Sequence, residues 1–342
     1  MFARHSLPGN APGDGWQASH RPTAPPTHEK DPLMPTPITM KAARFHTFGG
    51  PEVLQIDDVP VPAATEGRVI IRVAGAAFNP ADAALRAGLF AGVMDVELPF
   101  TPGVEVSGTI AEIGPGVDGW AIGDTVVCYQ PFGQPGTYAE HVSVSADVLA
   151  SAPQTVDLAD AAALPAVGLT AWQALFDHGA LQPGEKVLVN GAGSAVGAYV
   201  TQLAVHHGAD VVAVAGTASC ARVRAYAPRA VVDYQAGDLT DAIDEEFDLV
   251  VNLAPTAFAD LLPFTRRSGR FVSATTPVDA ENDRKVRAIR MGSRSDAAQL
   301  RELVRLVDDG KLVIWVRSKR PLADAADVHN GNRNGKTVFI PA

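Results

Sequence analysis

The stretch VLVNGAGSAVGAYV, residues 187–200, decides the fold. Apolar residues lead into a glycine turn, and after it Val196, Val200 and Leu203 recur at the three- and four-residue spacing of a helix. Small residues fill the turn and the first helical positions: Gly191, Gly193, Ser194, Ala195 and Gly197. The backbone of such a turn lets a pyrophosphate approach, and the free N–H groups at the helix start face the anion. We therefore expect a nucleotide site here.

Two other interpretations of this stretch stay open. It is compatible with a plain turn between a strand and a helix of an α/β domain. It is also similar to a nucleophile elbow, G-x-S-x-G, with Ser194 as the nucleophile and Ala192 and Val196 in the places of the glycines. A serine hydrolase needs an acid and then a histidine further along the chain, and Asp279 and His329 stand in that order.

Short apolar runs around the glycine turn predict the strands of one sheet. These runs are EKVLVN (185–190), ADVVAVAG (209–216), RAVVDY (229–234), FDLVVNLA (247–254) and SGRFVSAT (268–275). Gly208 is expected to end the helix that follows the first of them. Near-continuous apolar strands that alternate with helices predict an α/β Rossmann domain, a parallel sheet with helices on both faces.

The chain before residue 153 has a different residue pattern, which predicts a β-rich, barrel-like domain. β-branched runs closed by glycine or proline occur in EGRVIIRVAG (66–75), VSGTIAEIGPG (106–116) and GDTVVCY (123–129). Toward the C-terminus, SDAAQLRELVRLVDDG (295–310) predicts an amphipathic helix, and LVIWV (312–316) and KTVFI (336–340) predict strands. We expect these last two strands to return to the β-rich domain.

Composition limits the function classes. The 342 residues are 46% hydrophobic and carry a formal net charge of −10, which suits two globular domains and argues against a nucleic-acid partner. No apolar run approaches the ~18 residues of a membrane span. The two cysteines, Cys128 and Cys220, are too few for a disulfide framework or a thiolate zinc site, and we expect a cytoplasmic protein.

Residues 1–39 are expected to be a disordered, Pro-rich tail. SLPGNAPGDG (6–15) and RPTAPPTHEKDPLMPTP (21–37) offer little to bury. The tail has no apolar core of the kind a signal peptide needs. Met34 and Met40 remain alternative starts of the chain.

The residues after the second strand of the sheet favour NADP(H) over NAD(H). That strand ends without the Asp or Glu that usually holds the ribose hydroxyls of NAD. Thr217 and Ser219 offer hydroxyl groups there, and Arg222 and Arg224 offer positive charge for a 2′-phosphate. A solvated helix face is the simpler interpretation of Arg222 taken alone.

The chain from Met40 to its end resembles the medium-chain dehydrogenase/reductase superfamily, and most closely its zinc-independent quinone oxidoreductase branch. The resemblance rests on MKAARFHTFGGPEVLQIDDVPVP (40–62), GAAFNPADAALRAG (75–88), PFTPGVEVSGTIAEIGPGVDGWAIGDTVV (99–127), GTYAEHVSV (136–144), AALPAVGLTAWQAL (162–175), VLVNGAGSAVGAY (187–199) and VVDY (231–234). It implies a GroES-like substrate domain in two segments, 40–163 and 289–342, around a Rossmann NADP-binding domain, 164–288. The cofactor then lies in the cleft between the two domains.

The same resemblance implies that this chain holds no zinc. Zinc alcohol dehydrogenases are similar at PGVE (102–105), but they have His in place of Val104 and cysteine ligands in place of Asn79 and Ala166. Valine and alanine cannot ligate zinc, and asparagine is a poor ligand. Without a metal, Glu105 is expected to be a structural hydrogen-bond acceptor. The sequence assigns no role to Lys336.

The family's cofactor contacts carry over residue by residue. Asn79 resembles the residue beside the nicotinamide, Thr170 the one near its ribose, and Tyr234 the one near the adenosine phosphate. Ala195, Val196 and Gly197 match the pyrophosphate turn. Asn252, Ser273 and Ala274 follow strand ends, where the crevice of such a sheet opens. Phe78 and Phe90 are expected to line the substrate pocket, whereas Tyr138 is expected to be buried structure.

The expected activity is hydride transfer from NADPH to a quinone or an α,β-unsaturated carbonyl, without zinc and with no catalytic side chain assigned. Such acceptors delocalise the arriving charge, so the protein needs only to orient the reactants and exclude water. Two alternatives remain: a non-catalytic NADPH-binding protein, as crystallin-like relatives suggest, and the serine hydrolase that uses Ser194. The resemblance also implies a homodimer that takes a small-molecule substrate.

Overall fold

The computed structural model describes residues 38–331 and 335–341. Its strands are β1 (Thr39–Phe45), β2 (Leu54–Pro60), β3 (Arg68–Ala77), β4 (Glu105–Ile113), β5 (Thr125–Tyr129), β6 (His141–Ser145), β7 (Leu149–Ser151), β8 (Lys186–Asn190), β9 (Asp210–Ala215), β10 (Ala230–Asp233), β11 (Phe247–Asn252), β12 (Thr265–Ser273), β13 (Arg287–Arg290), β14 (Val316–Pro321) and β15 (Lys336–Ile340). Its α-helices are α1 (Pro80–Arg86), α2 (Pro165–Trp172), α3 (Ala195–His206), α4 (Thr217–Arg224), α5 (Leu239–Ala242), α6 (Phe258–Leu261), α7 (Ala297–Asp308) and α8 (Ala325–Gly331).

The stretch around the glycine turn lies at the centre of a six-stranded sheet. The strand order is β10-β9-β8-β11-β12-β13, and every neighbouring pair is parallel. This is the strand order of a dinucleotide-binding fold, in which the chain changes direction between the first and fourth strands. Here that switch point lies between β8 and β11.

Alternate residues of the central strand pack into two separate cores, one on each face of the sheet. Val187 and Val189 of β8 pack in the core that also contains Leu203 of α3, whereas Leu188 packs in the core that contains Phe258 of α6. All three strand residues are fully buried. The parallel sheet with helices on both faces, and Gly208 in a left-handed conformation just after α3, are therefore confirmed.

A seven-stranded sheet forms the β-rich part of the chain. Its order is β14-β15-β3-β4-β5-β7, and β6 adds to β3. The long strand β3 pairs antiparallel with three other strands, β4, β6 and β15. β1 and β2 form a separate antiparallel pair. The predicted β-rich character is confirmed.

The two C-terminal strands join this sheet, but the first is not where the sequence placed it. LVIWV was predicted as a strand, whereas β14 begins only at Val316 and runs through charged residues to Pro321. The backbone N–H of Leu312 donates to the carbonyl of Leu306, and that of Val313 donates to the side chain of Gln202. These bonds tie residues 312 and 313 to helices instead of to a strand. KTVFI is confirmed as β15.

Of the predicted tail 1–39, residues 1–37 lie outside the described residues, and Thr39 already belongs to β1. The boundaries 163/164 and 288/289 stay predictions. Both cysteines are free and buried. Within residues 38–331 and 335–341, no helix is long and apolar enough to cross a membrane.

Candidate active site

The glycine turn holds its shape through backbone hydrogen bonds. Gly191 has a φ of +90°, which favours glycine, and the N–H groups of Gly191 and Ala192 both donate to the carbonyl of Val214 on β9. At Gly197 a Cβ atom would lie 2.2 Å from the Gly191 oxygen. Only a residue without a side chain lets α3 approach the turn this closely, so the glycines required by the predicted motif have a physical reason to be there.

The start of α3 fits an anionic group. Ser194 is the N-cap, and its Oγ accepts from the N–H of Gly197 at 3.0 Å. The first N–H groups of a helix have no intrahelical partner. Those of Ala195 and Val196 also have no side-chain acceptor in the part of the chain that the structure describes. Together with the dipole of this 12-residue helix, they suit a pyrophosphate.

This geometry opposes the nucleophile elbow. The Ser194 hydroxyl serves as the helix cap, and the histidine proposed as its base lies elsewhere. His329 packs against the rings of Phe78 and Tyr138, with centroids at 4.9 and 5.8 Å. Neither of its ring nitrogens has a hydrogen-bond partner within residues 38–331 and 335–341, and burial lowers its pKa to about 3. The serine hydrolase alternative therefore fails.

At the carboxyl ends of β9 and β10, the structure brings together the residues predicted to hold the adenosine half of the cofactor. The Thr217 hydroxyl donates to Asp233 at 2.6 Å, and its backbone N–H donates to the side chain of Gln235. A Cβ atom on Gly216 would lie 3.2 Å from the Tyr234 hydroxyl, so the ring of Tyr234 lies against this glycine. The sequence pattern did not point to the acid Asp233, because it lies at the end of β10 and not at the end of β9, where NAD-binding folds usually carry their acid.

Arg222 reaches back from α4 to the glycine turn. Its guanidinium donates to the carbonyl of Gly193 at 2.8 Å and stacks 4.0 Å from the ring centre of Trp315. Ser219 lies on the same side, since a Cβ on Gly193 would be 2.8 Å from the Ser219 Cβ. Arg222 is thus more than a solvated helix residue. No pattern in the sequence pointed to Trp315, which lies 93 positions further along the chain.

The predicted residues at the next strand ends form a closed polar network. The side-chain oxygen of Asn252 accepts from Asn190 at 2.9 Å, and its nitrogen donates to the Thr256 carbonyl and the Thr276 hydroxyl. The Ser273 hydroxyl accepts from the backbone N–H of Thr276. The Asn252 amide is fully used in holding β8 to the segments that follow β11 and β12. A direct contact between a cofactor and Asn252, Ser273 or Ala274 stays a prediction.

Asn79 lies in a buried polar cluster that the sequence did not reveal. It is the N-cap of α1, and its backbone N–H donates to Asp82 at 2.8 Å. Its side-chain oxygen accepts from the Lys336 ammonium at 2.7 Å, and its nitrogen donates to Glu105 at 2.9 Å. Lys336 also forms a salt bridge with Glu105, and both side chains are almost completely buried.

Glu105 connects this cluster to the helix that precedes the Rossmann strands. Its second oxygen accepts from the backbone N–H of Ala166 at 2.8 Å, near the start of α2. Thr170, one turn later, donates to the carbonyl of Ala166. The expected role of Glu105 as a structural acceptor is confirmed, and Lys336 acquires a role that the sequence left open.

Two of the positions that match zinc ligands in the resemblance bond to this ion pair. The Asn79 side chain bonds to both Lys336 and Glu105, and the backbone N–H of Ala166 donates to Glu105. The ammonium group is paired with the Glu105 carboxylate, so the pair carries no net charge. Among the described residues no three His, Cys, Asp or Glu side chains are grouped as metal ligands. The absence of zinc stays a prediction, and it rests on the residue types of Asn79, Val104 and Ala166.

Asp82 forms the other side of the cluster. Its carboxylate accepts from the Asn79 N–H and from the Tyr138 hydroxyl at 2.9 Å, while its second oxygen has no partner in the described part of the chain. Burial raises the pKa of Asp82 to about 7 and raises that of Tyr138 above its usual value. Tyr138 is completely buried, as predicted.

The two predicted substrate residues have different environments. Phe78 is buried and packs edge-on against His329, so its ring belongs to the core of the β-rich domain. Phe90 is half-buried and lies 6.3 Å from the ring of Phe132, a residue that the sequence did not single out. Phe90 packs at the margin of one core and Phe132 at the margin of the other. That Phe78 and Phe90 line the substrate pocket stays a prediction.

Two family models match the chain. One, described as the alcohol dehydrogenase GroES-like domain, matches residues 65–154, and the other, described as zinc-binding dehydrogenase, matches residues 229–338. Both segments contribute to the geometry described above, since the first contains Asn79 and Glu105 and the second contains Lys336. The fold and these matches define the class: a dehydrogenase or reductase with a GroES-like and a Rossmann domain.

Similar proteins narrow the class. The chain is 30% identical over 328 residues to the quinone oxidoreductase of Mus musculus, covering 88% of this chain and 98% of that protein. It is 33% identical over 324 residues to the NADPH-dependent alkenal/one oxidoreductase, chloroplastic, of Arabidopsis thaliana, covering 89% and 80%. The structure of the quinone oxidoreductase from Coxiella burnetii superposes with a TM-score of 0.83 at 29% identity, covering 89% of this chain and 99% of that one.

The chain belongs to the quinone oxidoreductase branch of the medium-chain dehydrogenase/reductase superfamily. It is an oxidoreductase. The resemblance read from the sequence, and the fold class with its GroES-like domain, are confirmed.

Proposed function

We propose that this protein reduces quinones or α,β-unsaturated carbonyls with NADPH, without a metal. The observation that carries the proposal is the buried cluster of Asn79, Glu105 and Lys336, in which the Asn79 amide, at a position that matches a zinc ligand in the resemblance, is bonded to both charged side chains. Without a Lewis acid to stabilise an alkoxide, an acceptor that delocalises charge asks less of the protein. A homodimer, as the family implies, stays part of this proposal.

The chain's own residues bind and orient the cofactor. The start of α3, with the N–H groups of Ala195 and Val196, holds the pyrophosphate, and Asn79 and Thr170 contact the nicotinamide half. When bound, the reduced nicotinamide supplies the hydride. No side chain in this proposal transfers a proton, and solvent supplies it. The contribution of the protein is therefore orientation and exclusion of water.

Preference for NADPH rests on the charges at the adenosine edge. The guanidinium groups of Arg222 and Arg224 outnumber the single carboxylate of Asp233. The hydrogen bond from Thr217 holds the pKa of that carboxylate below its usual value, and Arg224 lowers it further. Arg222 is stacked on Trp315, which fixes its direction. A 2′-phosphate therefore meets net positive charge, and the Ser219 hydroxyl offers a donor to it, whereas the Thr217 hydroxyl already donates to Asp233.

The substrate end of the site is proposed to lie between two loops. Phe90 packs on Phe132, and a Cβ on Gly133 would lie 3.2 Å from the terminal methyl group of Met94. Leu89 beside Phe90 is 75% exposed. This apolar surface suits a flat quinone or enone better than a charged or strongly hydrated substrate.

The proposal is tested by following NADPH oxidation at its near-ultraviolet absorbance with a panel of a quinone, an alkenal, a simple ketone and a primary alcohol with NADP. We expect turnover of the quinone or the alkenal, and little with the ketone or alcohol. Replacing Phe90 with alanine is expected to raise KM for the accepted substrate. NADPH binding without oxidation by any acceptor would support the non-catalytic alternative instead.

A further inference from the structure

The ion pair between Lys336 and Glu105 is more than a packing contact, because it fixes one side chain in one orientation. The Lys336 ammonium donates to the carbonyl of Phe78 at 3.0 Å, to Asn79 Oδ1 at 2.7 Å and to Glu105 Oε1. All three of its protons are used within the protein. Lys336 is 2% exposed, so it has neither a proton nor a surface to offer a substrate.

The two charges determine which way the Asn79 amide faces. An ammonium group is only a donor, so the Asn79 oxygen must lie beside Lys336. A carboxylate is only an acceptor, so the Asn79 nitrogen must lie beside Glu105, at 2.9 Å. Turning the amide by half a rotation would set donor against donor and acceptor against acceptor. With a neutral pair of neighbours, only the longer hydrogen bond to the Ala77 carbonyl, at 3.4 Å, would favour one orientation.

The same carboxylate links Asn79 to the other predicted nicotinamide contact. Glu105 Oε2 accepts from the N–H of Ala166, and Thr170 donates to the carbonyl of that same residue. The residues joined in this way come from distant parts of the sequence, since Lys336 begins β15, Glu105 begins β4, and Ala166 lies in α2. The ion pair thus connects the end of β3 with α2.

We propose that Lys336 is a positioning residue, whose ammonium group, with Glu105, holds the Asn79 amide in one orientation and at a fixed distance from α2 so that the nicotinamide is bound in one pose. This inference rests on the proposed function, because it concerns the nicotinamide end of the same site. The two charges orient the Asn79 amide and take no part in the hydride transfer. Lys336 touches neither substrate nor cofactor in this account.

A single and a double variant of the buried ion pair distinguish a role in positioning Asn79 from a role in stability. Removing one partner leaves an uncompensated buried charge and costs stability, whereas replacing both by neutral groups of similar size is often neutral. We therefore expect Lys336→Met to lower the melting temperature, and the double variant Glu105→Gln/Lys336→Met to recover most of it. In the double variant, the new glutamine amide both donates and accepts, and the new methionine thioether does not donate. Only the longer hydrogen bond from the Asn79 nitrogen to the Ala77 carbonyl, at 3.4 Å, then still favours one orientation of the amide.

The experiment compares the wild type with the double variant in three measurements. We expect the double variant to bind NADPH with a dissociation constant within about threefold of the wild-type value, because the start of α3 is unchanged. We expect kcat to fall by about 10- to 100-fold, since orientation is lost. The fluorescence decay of bound NADPH is expected to change from one lifetime to two, which a purely structural role would not produce.

Lys319→Met is the matched control. Lys319 is a surface lysine paired with Asp157 and Asp160, so its loss is expected to leave all three measurements unchanged. A folded double variant with the wild-type kcat and a single lifetime would overturn the positioning role, and so would a double variant that fails to fold. If the wild type itself neither binds nor oxidises NADPH, the proposed function has failed instead.

Discussion

Asp82 shows how much a single buried carboxyl group can shape this site. It closes the capping box at the start of α1 through the Asn79 N–H, and it accepts from the Tyr138 hydroxyl. Burial raises its pKa to about 7 and outweighs these two hydrogen bonds and the nearby charge of Lys336, which lower it. A carboxyl group bonded to the predicted nicotinamide contact therefore titrates near neutral pH.

This carboxyl group predicts a specific dependence of stability on pH. Its pKa rises from 3.8 to about 7 on folding, so the folded protein binds the proton more tightly. The stability that it contributes is fully present below a pH equal to the unfolded pKa, and it is lost as pH rises toward the folded pKa. The Asp82→Asn variant lacks this loss. As pH rises between the two pKa values, the free energy of unfolding of the variant minus that of the wild type should therefore increase, by up to about 1.4 kcal/mol per pH unit.

Urea unfolding of both proteins at several pH values between the two pKa values of Asp82 measures this difference. Subtracting one curve from the other removes the contribution of the other titrating groups. A constant difference across the range would show that Asp82 is not held in the uncharged form by the fold.

At the scale of elements, the turn between β8 and α3 is where the sequence was most informative. Gly191, Gly193 and Gly197 each have a neighbour that a side chain would displace. The alternation of apolar runs and helices likewise predicted the parallel strands, because strands buried on both faces are apolar along their whole length. β14 was misplaced because it carries charged residues at an edge of its sheet, where burial imposes no apolar pattern.

Gly197→Ala tests the turn directly. The new methyl group would lie 2.2 Å from the Gly191 oxygen and 2.6 Å from the Ala192 Cα, so the helix start must shift. We expect a loss of about 1–3 kcal/mol in the free energy of unfolding and a dissociation constant for NADPH at least about tenfold higher. Gly237→Ala, where nothing lies within 4 Å, is the control. If the Gly197 variant bound NADPH with the wild-type affinity, the turn would not be part of the cofactor site.

At the scale of the whole molecule, the contacts that define the site join distant parts of the chain. Asn79 and Lys336 are 257 residues apart, and no periodicity connects them. The resemblance placed Asn79 beside the nicotinamide, but it could not show that a lysine near the end of the chain fixes its amide. Arg222 and Trp315 are a second such pair. Local patterns predict elements, whereas long-range polar contacts between elements require the structure.

A calorimetric titration of the wild-type protein with NADPH and with NADH tests the central claim most directly. The start of α3 and the net positive charge around Arg222 predict that both bind at one site, with NADPH at least about tenfold tighter, a difference of about 1.4 kcal/mol. Equal or tighter binding of NADH would contradict the assignment of the adenosine edge. Binding of neither would contradict the account as a whole.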